Sequence, residues 1–482
     1  MRGQATSAGR LCALAAAAYL CAELRADPDL WGHLRFGLDL LASGRLTSHD
    51  PYSFTQDVPW INHEWLSELL TAAAWHVGGV SGMVMLKTVV LGATVWLLHG
   101  LARPAAMRAR WWLLGTALVA LAPAATSARP QLWTLLGLSA LGRLLASEAS
   151  LWWAVPLFAA WANLHGGWTV GAGMSALWLL GRAIDTRRVA TSARQATALA
   201  TGIVATLATP YGVDLWRFVA TTIRIGRNIT EWRPLWDQPD LSHGVLWLLT
   251  TLVVCLALAF RRDRPAMAGV LPVVSLAVMG AFVDRLAPLY AIVSLWLTSS
   301  LLRPAIDEPR EADRLPGGRP PGAWTVDAAL VALVWFAFAS NAAACLPVRG
   351  DWTPDLEAAS AFADERVHGR LVLPFNWGEY ALWHWGPRLR VSIDGRRETI
   401  YSDRVLRTQA DAARGGRDGV AFLADARPEY VWLPRDTGAR TADWLRTHGY
   451  RMDIVTSRSF IATRADVAPL APGLAPVAAC FP

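Results

Sequence analysis

Between residues 80 and 302 the sequence runs as long apolar blocks separated by short polar links, a pattern few soluble folds can absorb. A helix of about 20 apolar residues crosses a bilayer core, so such blocks read as membrane spans. They fall at 80–101, 111–127, 132–146, 151–163, 168–184, 196–209, 245–260, 267–282 and 287–302, with another at 324–344. An earlier block at 11–22 extends to 5–24. It reads as an uncleaved first span, with a cleaved signal peptide as the alternative. The total is about eleven spans, several of them short enough to require tilt or breaks. Only 17% of residues are charged, against about 25% in a soluble globular chain.

The arginines orient the spans. With the N-terminus in the cytoplasm, Arg103, Arg108, Arg110, Arg182, Arg187, Arg188, Arg194, Arg261, Arg262, Arg264 and Arg303 fall in inner links. The short outer links hold only Arg129 and Arg285. This is the positive-inside distribution. The net charge of +7 therefore reports topology, and no basic patch interleaved with aromatics points to nucleic acid. Residues 303–323 form a Pro- and Gly-rich inner linker. An odd number of spans places residues 346–482 outside, where period-two runs separated by helical stretches predict a small α/β domain. The expected organisation is a transmembrane domain, 1–345, with a first outer loop at 25–79 carrying interfacial helices, followed by an extracytoplasmic domain, 346–482. Cys345 and Cys480 would both lie on the oxidising side and be available to pair.

Unusual polar residues collect on that outer side. The first loop holds "DPDLWGHL" (Asp27, Asp29, His33) and "PWINHEW" (Asn62, His63, Glu64). Later links hold "ARPQ" (Arg129, Gln131), "WANLHGGW" (Asn163, His165, Trp168), "TPYG" (Tyr211), "ITEWRPLW" (Glu231, Trp232) and "VDRLAP" (Asp284, Arg285). Ionisable groups at membrane depth are expensive, so one-sided clustering argues for a site. Leu30, Leu34, Leu38 and Leu41 give residues 29–42 an amphipathic helical spacing. Asp29 and His33 then share one face, where a carboxylate can take a proton from a hydroxyl. Asp27 before Pro28 reads as a helix cap. Asn62 and Glu64 also suit a helix N-terminus. Arg129 and Arg285 could each snorkel to the interface or hold a phosphate. In the C-terminal region, "NWGEYALWHW" and "IDGRRETIY" (Asp394, Arg396, Arg397) read equally as acceptor-holding residues and as a strand-end turn. No GxxxxGK[ST], HExxH or GxSxG motif is present.

The ordered set "DPDLWGHL", "DPYSFT", "PWINHEWLSE", "ARPQ", "WANLHGG", "PYG", "EWRP" and "IDGRRETIY" resembles a branch of the GT-C superfamily of integral-membrane glycosyltransferases. The resemblance implies a polytopic α-helical fold with an outer C-terminal domain. It also implies a polyprenyl-phosphate-type lipid-linked sugar donor, a glycan, lipid or protein acceptor, and a location in the bacterial cytoplasmic membrane. By position, Asp29 matches the carboxylate that acts on the acceptor, with Asp27 second and His33 and Glu64 beside them. The chain has Asp-Pro-Asp where the mannosyltransferases carry an Asp-Glu pair. No cofactor is assigned; relatives differ in whether they use a divalent metal, and the sequence names no ligand for one. A transporter of lipid-linked glycans and a non-catalytic envelope scaffold are the rival readings. Broken helices suit the first, but neither pseudo-symmetric halves nor midplane polar groups are evident.

Overall fold

Ten of the eleven apolar blocks are helical in the computed structural model. It describes residues 2–22, 25–147, 150–186, 189–222, 230–261, 264–303, 346–348, 350–473 and 480–482. The block at 324–344 lies outside the described residues. In chain order the helices are α1 (Arg2–Ala22), α2 (Leu30–Ser43), α3 (Trp65–Ala102), α4 (Met107–Ala125), α5 (Gln131–Ala146) and α6 (Ala154–Leu164). They continue with α7 (Trp168–Thr186), α8 (Val189–Val204), α9 (Val213–Thr222), α10 (Ser242–Ala259), α11 (Met267–Phe282) and α12 (Ala287–Leu301). Helix α3 loses helical geometry at Gly78 and Gly79, and Gly79 takes a φ of 56°.

The described chain divides into two compact units. The first comprises Met1–Leu24, Ala74–Val213 and Gly226–Ala344. Within it α1 packs on α4, α4 on α12, α12 on α10 and α11, α11 on α7, and α6 on α8. Helix α12 is buried along nearly its whole length and forms the axis of this bundle. By contrast α10 turns large apolar side chains outward, with Leu248 61% and Leu252 53% exposed. An apolar face of that extent is unusual on a surface in water. By length and composition α3 and α10 are each sufficient to cross a bilayer, while α11 is apolar but shorter.

The second unit comprises Arg25–Ala73, Asp214–Ile225 and Cys345–Pro482. The division thus differs from the expected one at residue 345, because the first loop folds with the C-terminal region. A five-stranded mixed sheet has the order β3-β2-β4-β6-β5. Its strands are β2 (Gly369–Val372), β3 (Leu389–Val391), β4 (Tyr430–Pro434), β5 (Tyr450–Val455) and β6 (Ser459–Arg464); β1 (Leu346–Pro347) pairs with β7 (Cys480–Phe481) outside it. Helices α13 (Gly378–Trp385), α14 (Asp403–Arg414), α15 (Arg417–Ala426) and α16 (Arg435–Thr447) connect the strands. The apolar core gathers Val372, Val431, Leu433, Phe460 and Ala462 from the sheet with Leu423 and Leu445 from α15 and α16. An edge strand leaves backbone groups unpaired, and here the first loop meets those of β3. Ser53 forms a parallel bridge to Val391, and the Thr55 hydroxyl donates to the Ser392 carbonyl at 2.6 Å. Cys480 is disulfide-bonded, and Cys345 lies outside the described residues.

Candidate functional site

The sequence-predicted residues fall into two groups, one in each unit. In the second unit, α2 starts at Leu30, with Asp29 in the cap position and making no side-chain cap bond. This corrects the expectation that Asp27 and Pro28 open the helix. The Asp27 carboxylate instead accepts the Asp29 N–H at 3.0 Å, an Asx-type turn that aims the Asp29 side chain elsewhere.

Asp29 points at the C-terminal region. A methyl group built on Gly395 would lie 2.8 Å from Asp29 Oδ1 and 2.4 Å from Glu379 Oε1. Glu379, in the first turn of α13, is 3% exposed. Its Oε2 accepts the Gly32 N–H at 3.0 Å. Glu379 follows β2 and Gly395 follows β3, so the carboxyl ends of two adjacent parallel strands present both groups. Burial, then the negative charges of Asp29 and Asp394, hold the Glu379 carboxyl well above the usual carboxylate range.

One turn along α2, His33 Nδ1 lies 3.1 Å from Glu68 Oε1, and its Nε2 lies 4.0 Å from Glu64. Asn62 Nδ2 donates to the other Glu68 oxygen at 2.6 Å. His63 stands 3.6 Å from Glu64, and its ring lies tilted against Phe218 of α9 with ring centres 5.2 Å apart. Burial alone would lower the imidazole pKa. The bond to Glu68 and the charges of Glu64, Glu68 and Asp29 outweigh it and push it up to about 9. Glu68 organises this network but escaped the sequence reading. A carboxylate one turn after Glu64 inside the apolar run "WLSELL" was the available signal.

Two expected ligand contacts are instead part of the fold. Arg396 donates to both oxygens of Asp50, at 2.7 and 2.9 Å, and to both of Asp394, at 2.9 and 2.6 Å. Its guanidinium also lies 4.8 to 5.1 Å from the ring centres of Phe36, Tyr52 and Trp60. Asp394 additionally accepts the Tyr401 hydroxyl at 3.0 Å. Four of the five guanidinium N–H groups are thus given to carboxylates within a buried cluster, so Arg396 and Asp394 serve the fold at this point. Arg397 turns to a φ of 46° and lies over Phe375.

In the first unit, Glu231 bridges Arg129 at 2.9 Å and Arg285 at 3.0 Å. Burial works against the Glu231 charge, but the two arginines prevail and hold its carboxyl below the usual range. The bridge is solvent-accessible, with the glutamate side chain 41% exposed. Next to it, the buried Asp284 is paired with His243 Nδ1 at 2.7 Å. Trp232 is half-buried one residue on. His165 closes the turn between α6 and α7: its Nδ1 meets Thr134 Oγ1 at 2.6 Å and accepts the Gly167 N–H at 3.1 Å. Accepting at Nδ1 puts the ring proton of the neutral form on Nε2. Asn163 donates to the carbonyls of Ala159 and Ala208. Gln131 donates to that of Ala124. Trp168 is buried, and the Tyr211 N–H donates to Thr209 Oγ1 at 3.2 Å. Among the described residues, no three His, Cys, Asp or Glu side chains converge as a metal would require.

No protein-family model matches the chain, and no curated protein sequence aligns with it. Solved structures do share its fold. ArnT from Cupriavidus metallidurans superimposes with a TM-score of 0.55 at 13% identity, over 93% of this chain and 96% of its own. An Archaeoglobus fulgidus oligosaccharyltransferase tethered to an acceptor peptide gives a TM-score of 0.56 at 10% identity, over 94% and 74%. The oligosaccharyltransferase AglB of that organism, bound to an inhibitory peptide and a dolichol-phosphate, gives 0.54 at 11%, over 96% and 76%. These are GT-C glycosyltransferases, so the resemblance carried by the sequence motifs extends to the fold.

Proposed function

We propose that this chain is an integral-membrane glycosyltransferase. It would move a sugar from a polyprenyl-phosphate-type lipid donor to an envelope acceptor on the outer side of the bacterial cytoplasmic membrane. The fold shared with ArnT and the oligosaccharyltransferases supports the reaction class. The arginine distribution supports eleven spans, a cytoplasmic N-terminus and an outer C-terminal region. The observation that carries the reading is the meeting of Asp29 with the IDG turn. Two motifs more than 360 residues apart in sequence bring a carboxylate to a glycine-lined point beside a second, buried carboxyl.

In this reading Asp29 accepts the proton of the incoming acceptor hydroxyl. Asp27 holds the Asp29 backbone, and His33, charged at neutral pH, orients the acidic corner together with Glu64. Arg129 and Arg285, bridged by Glu231 in the first unit, are the residues proposed to hold the donor phosphate. Direct displacement passes through an oxocarbenium-like state and inverts the anomeric centre.

Purified protein, assayed with a polyprenyl-phosphate sugar, tests the reading. Asp29→Asn is expected to lose about 100-fold or more in transfer while keeping its thermal unfolding midpoint. Arg285→Ala is expected to raise the donor KM. Unchanged transfer by Asp29→Asn would overturn the assignment. Bilayer translocation of a lipid-linked glycan, unaffected by that substitution, would point to the transporter reading instead.

A further inference from the structure

Glu379 takes no part in the proton transfer proposed for Asp29, yet its buried carboxyl meets Asp29 across Gly395. Three features of its surroundings are independent of any titration argument. The side chain is held in one orientation by the Gly32 N–H. A methyl on Gly32 would stand 2.3 Å from Glu379 Oε2, and one on Gly395 would stand 2.4 Å from Oε1, so both faces of the carboxyl touch backbone. The remaining direction across Gly395 is occupied by Asp29 Oδ1. The other charged groups facing it are Asp394 and Arg396 from the turn after β3. Arg396 is already shared between Asp50 and Asp394, so its single positive charge is outnumbered.

We infer that Glu379 is the positioning residue of the candidate base: Asp29 and Glu379 hold one proton between them, and it resides on Glu379. Two carboxylates this close cannot both ionise in a buried setting. The proton stays on the group that water cannot reach, and the half-exposed Asp29 keeps the negative charge. Protonated Glu379 is then a neutral wall behind Asp29 rather than a second anion, so one aspartate oxygen is directed toward an incoming hydroxyl. When Asp29 takes the acceptor proton the pair carries two protons and no charge. Loss of one proton to solvent from Asp29 restores it. The pair has the coupled behaviour of a carboxylate dyad, with the two roles divided by burial.

This inference uses the reading of Asp29 as base, but its test needs no substrate. The full-length protein in detergent is titrated by infrared difference spectroscopy, following the C=O stretch of protonated carboxyl groups. A band that persists at neutral pH in the wild type and vanishes in Glu379→Gln is expected. In Asp29→Asn, with the facing charge removed, the same band should disappear about one pH unit or more lower. If Glu379→Gln does not fold, the Asp29→Asn shift decides alone. A neutral-pH band absent from the wild type, or a titration that Asp29→Asn leaves in place, overturns the proposal. Failure of sugar transfer with the spectroscopic result intact would count against the glycosyltransferase reading only.

Discussion

Asp27 and Asp29 are two residues apart and chemically identical, yet local geometry gives them different work. Asp27 spends its carboxylate on the backbone N–H of Asp29, and Asp29 is left facing the IDG turn. A side chain at Gly395 would force one or both of those carboxyls to shift. Gly395→Ala is expected to push a methyl into both carboxyls, cost about 1–3 kcal/mol of stability as an overpacked site does, and depress transfer more than it lowers the unfolding midpoint. Transfer and thermal unfolding measured on one preparation check this, and a fully active Gly395→Ala protein would refute the close approach. His33 gives a pH prediction. Its folded pKa, about 9, lies above the 6.5 of a free imidazole. The His33–Glu68 pairing is therefore fully stabilising below about pH 6.5 and is lost as pH rises through about 9. The difference in unfolding midpoint between wild type and His33→Ala should be largest near pH 6 and shrink toward pH 10. A difference that grows with pH would contradict the assigned charge.

At the level of elements, much was legible. Apolar blocks long enough to be helices became helices because a helix satisfies its own backbone hydrogen bonds, as an apolar setting requires. The run "SFIATR" forms β6, since a buried strand needs no signal beyond its apolar run and flanking turns. Helices α14 and α15 are hard to read from sequence although their punctuation is present: Ser402 caps the first and Gly415 ends it in the left-handed conformation. Their charged exposed faces hide a narrow apolar stripe, and propensity alone does not resolve it. Within the site, Asp29, His33, Asn62 and Glu64 were legible as one cluster because they lie on the same loop. The roles of Asp50 and Arg396 were not, because each is defined by a partner 346 residues away. Arg396→Met should cost about 3–5 kcal/mol, leaving two buried carboxylates without their cation. Adding Asp50→Asn and Asp394→Asn should recover a large part of that loss. Thermal unfolding of the single and triple variants measures both, and a single variant as stable as wild type would show that the buried pairing contributes little.

On the scale of the whole chain, the first loop is not an ornament of the helical region but part of the fold of the C-terminal one. The apolar side of α2 makes this concrete. Trp31 is 1% exposed and packs against Tyr380, Trp352 and Phe481 with ring centres 5.3, 5.9 and 5.3 Å away. All three partners come from beyond residue 345. Full burial of a large apolar side chain is worth about 1.5–3 kcal/mol, and Leu30 and Leu34, both 0% exposed, lie on the same helix. Asp57 adds polar ties, accepting the Ser402 N–H at 2.7 Å and its hydroxyl at 2.5 Å. A chain cut after residue 345 would therefore keep the packing among α4, α7, α11 and α12 and lose the structure of residues 25–73. Limited trypsin digestion should then cleave at Arg35 in the shortened protein while sparing it in the full chain, where α2 is held. Restoring residues 346–482 as a separate chain should return protection if the apolar and polar contacts named above are sufficient. Equal resistance of residues 25–73 in both proteins would mean that the loop folds without its C-terminal partner, and that Asp29 can be positioned without Glu379.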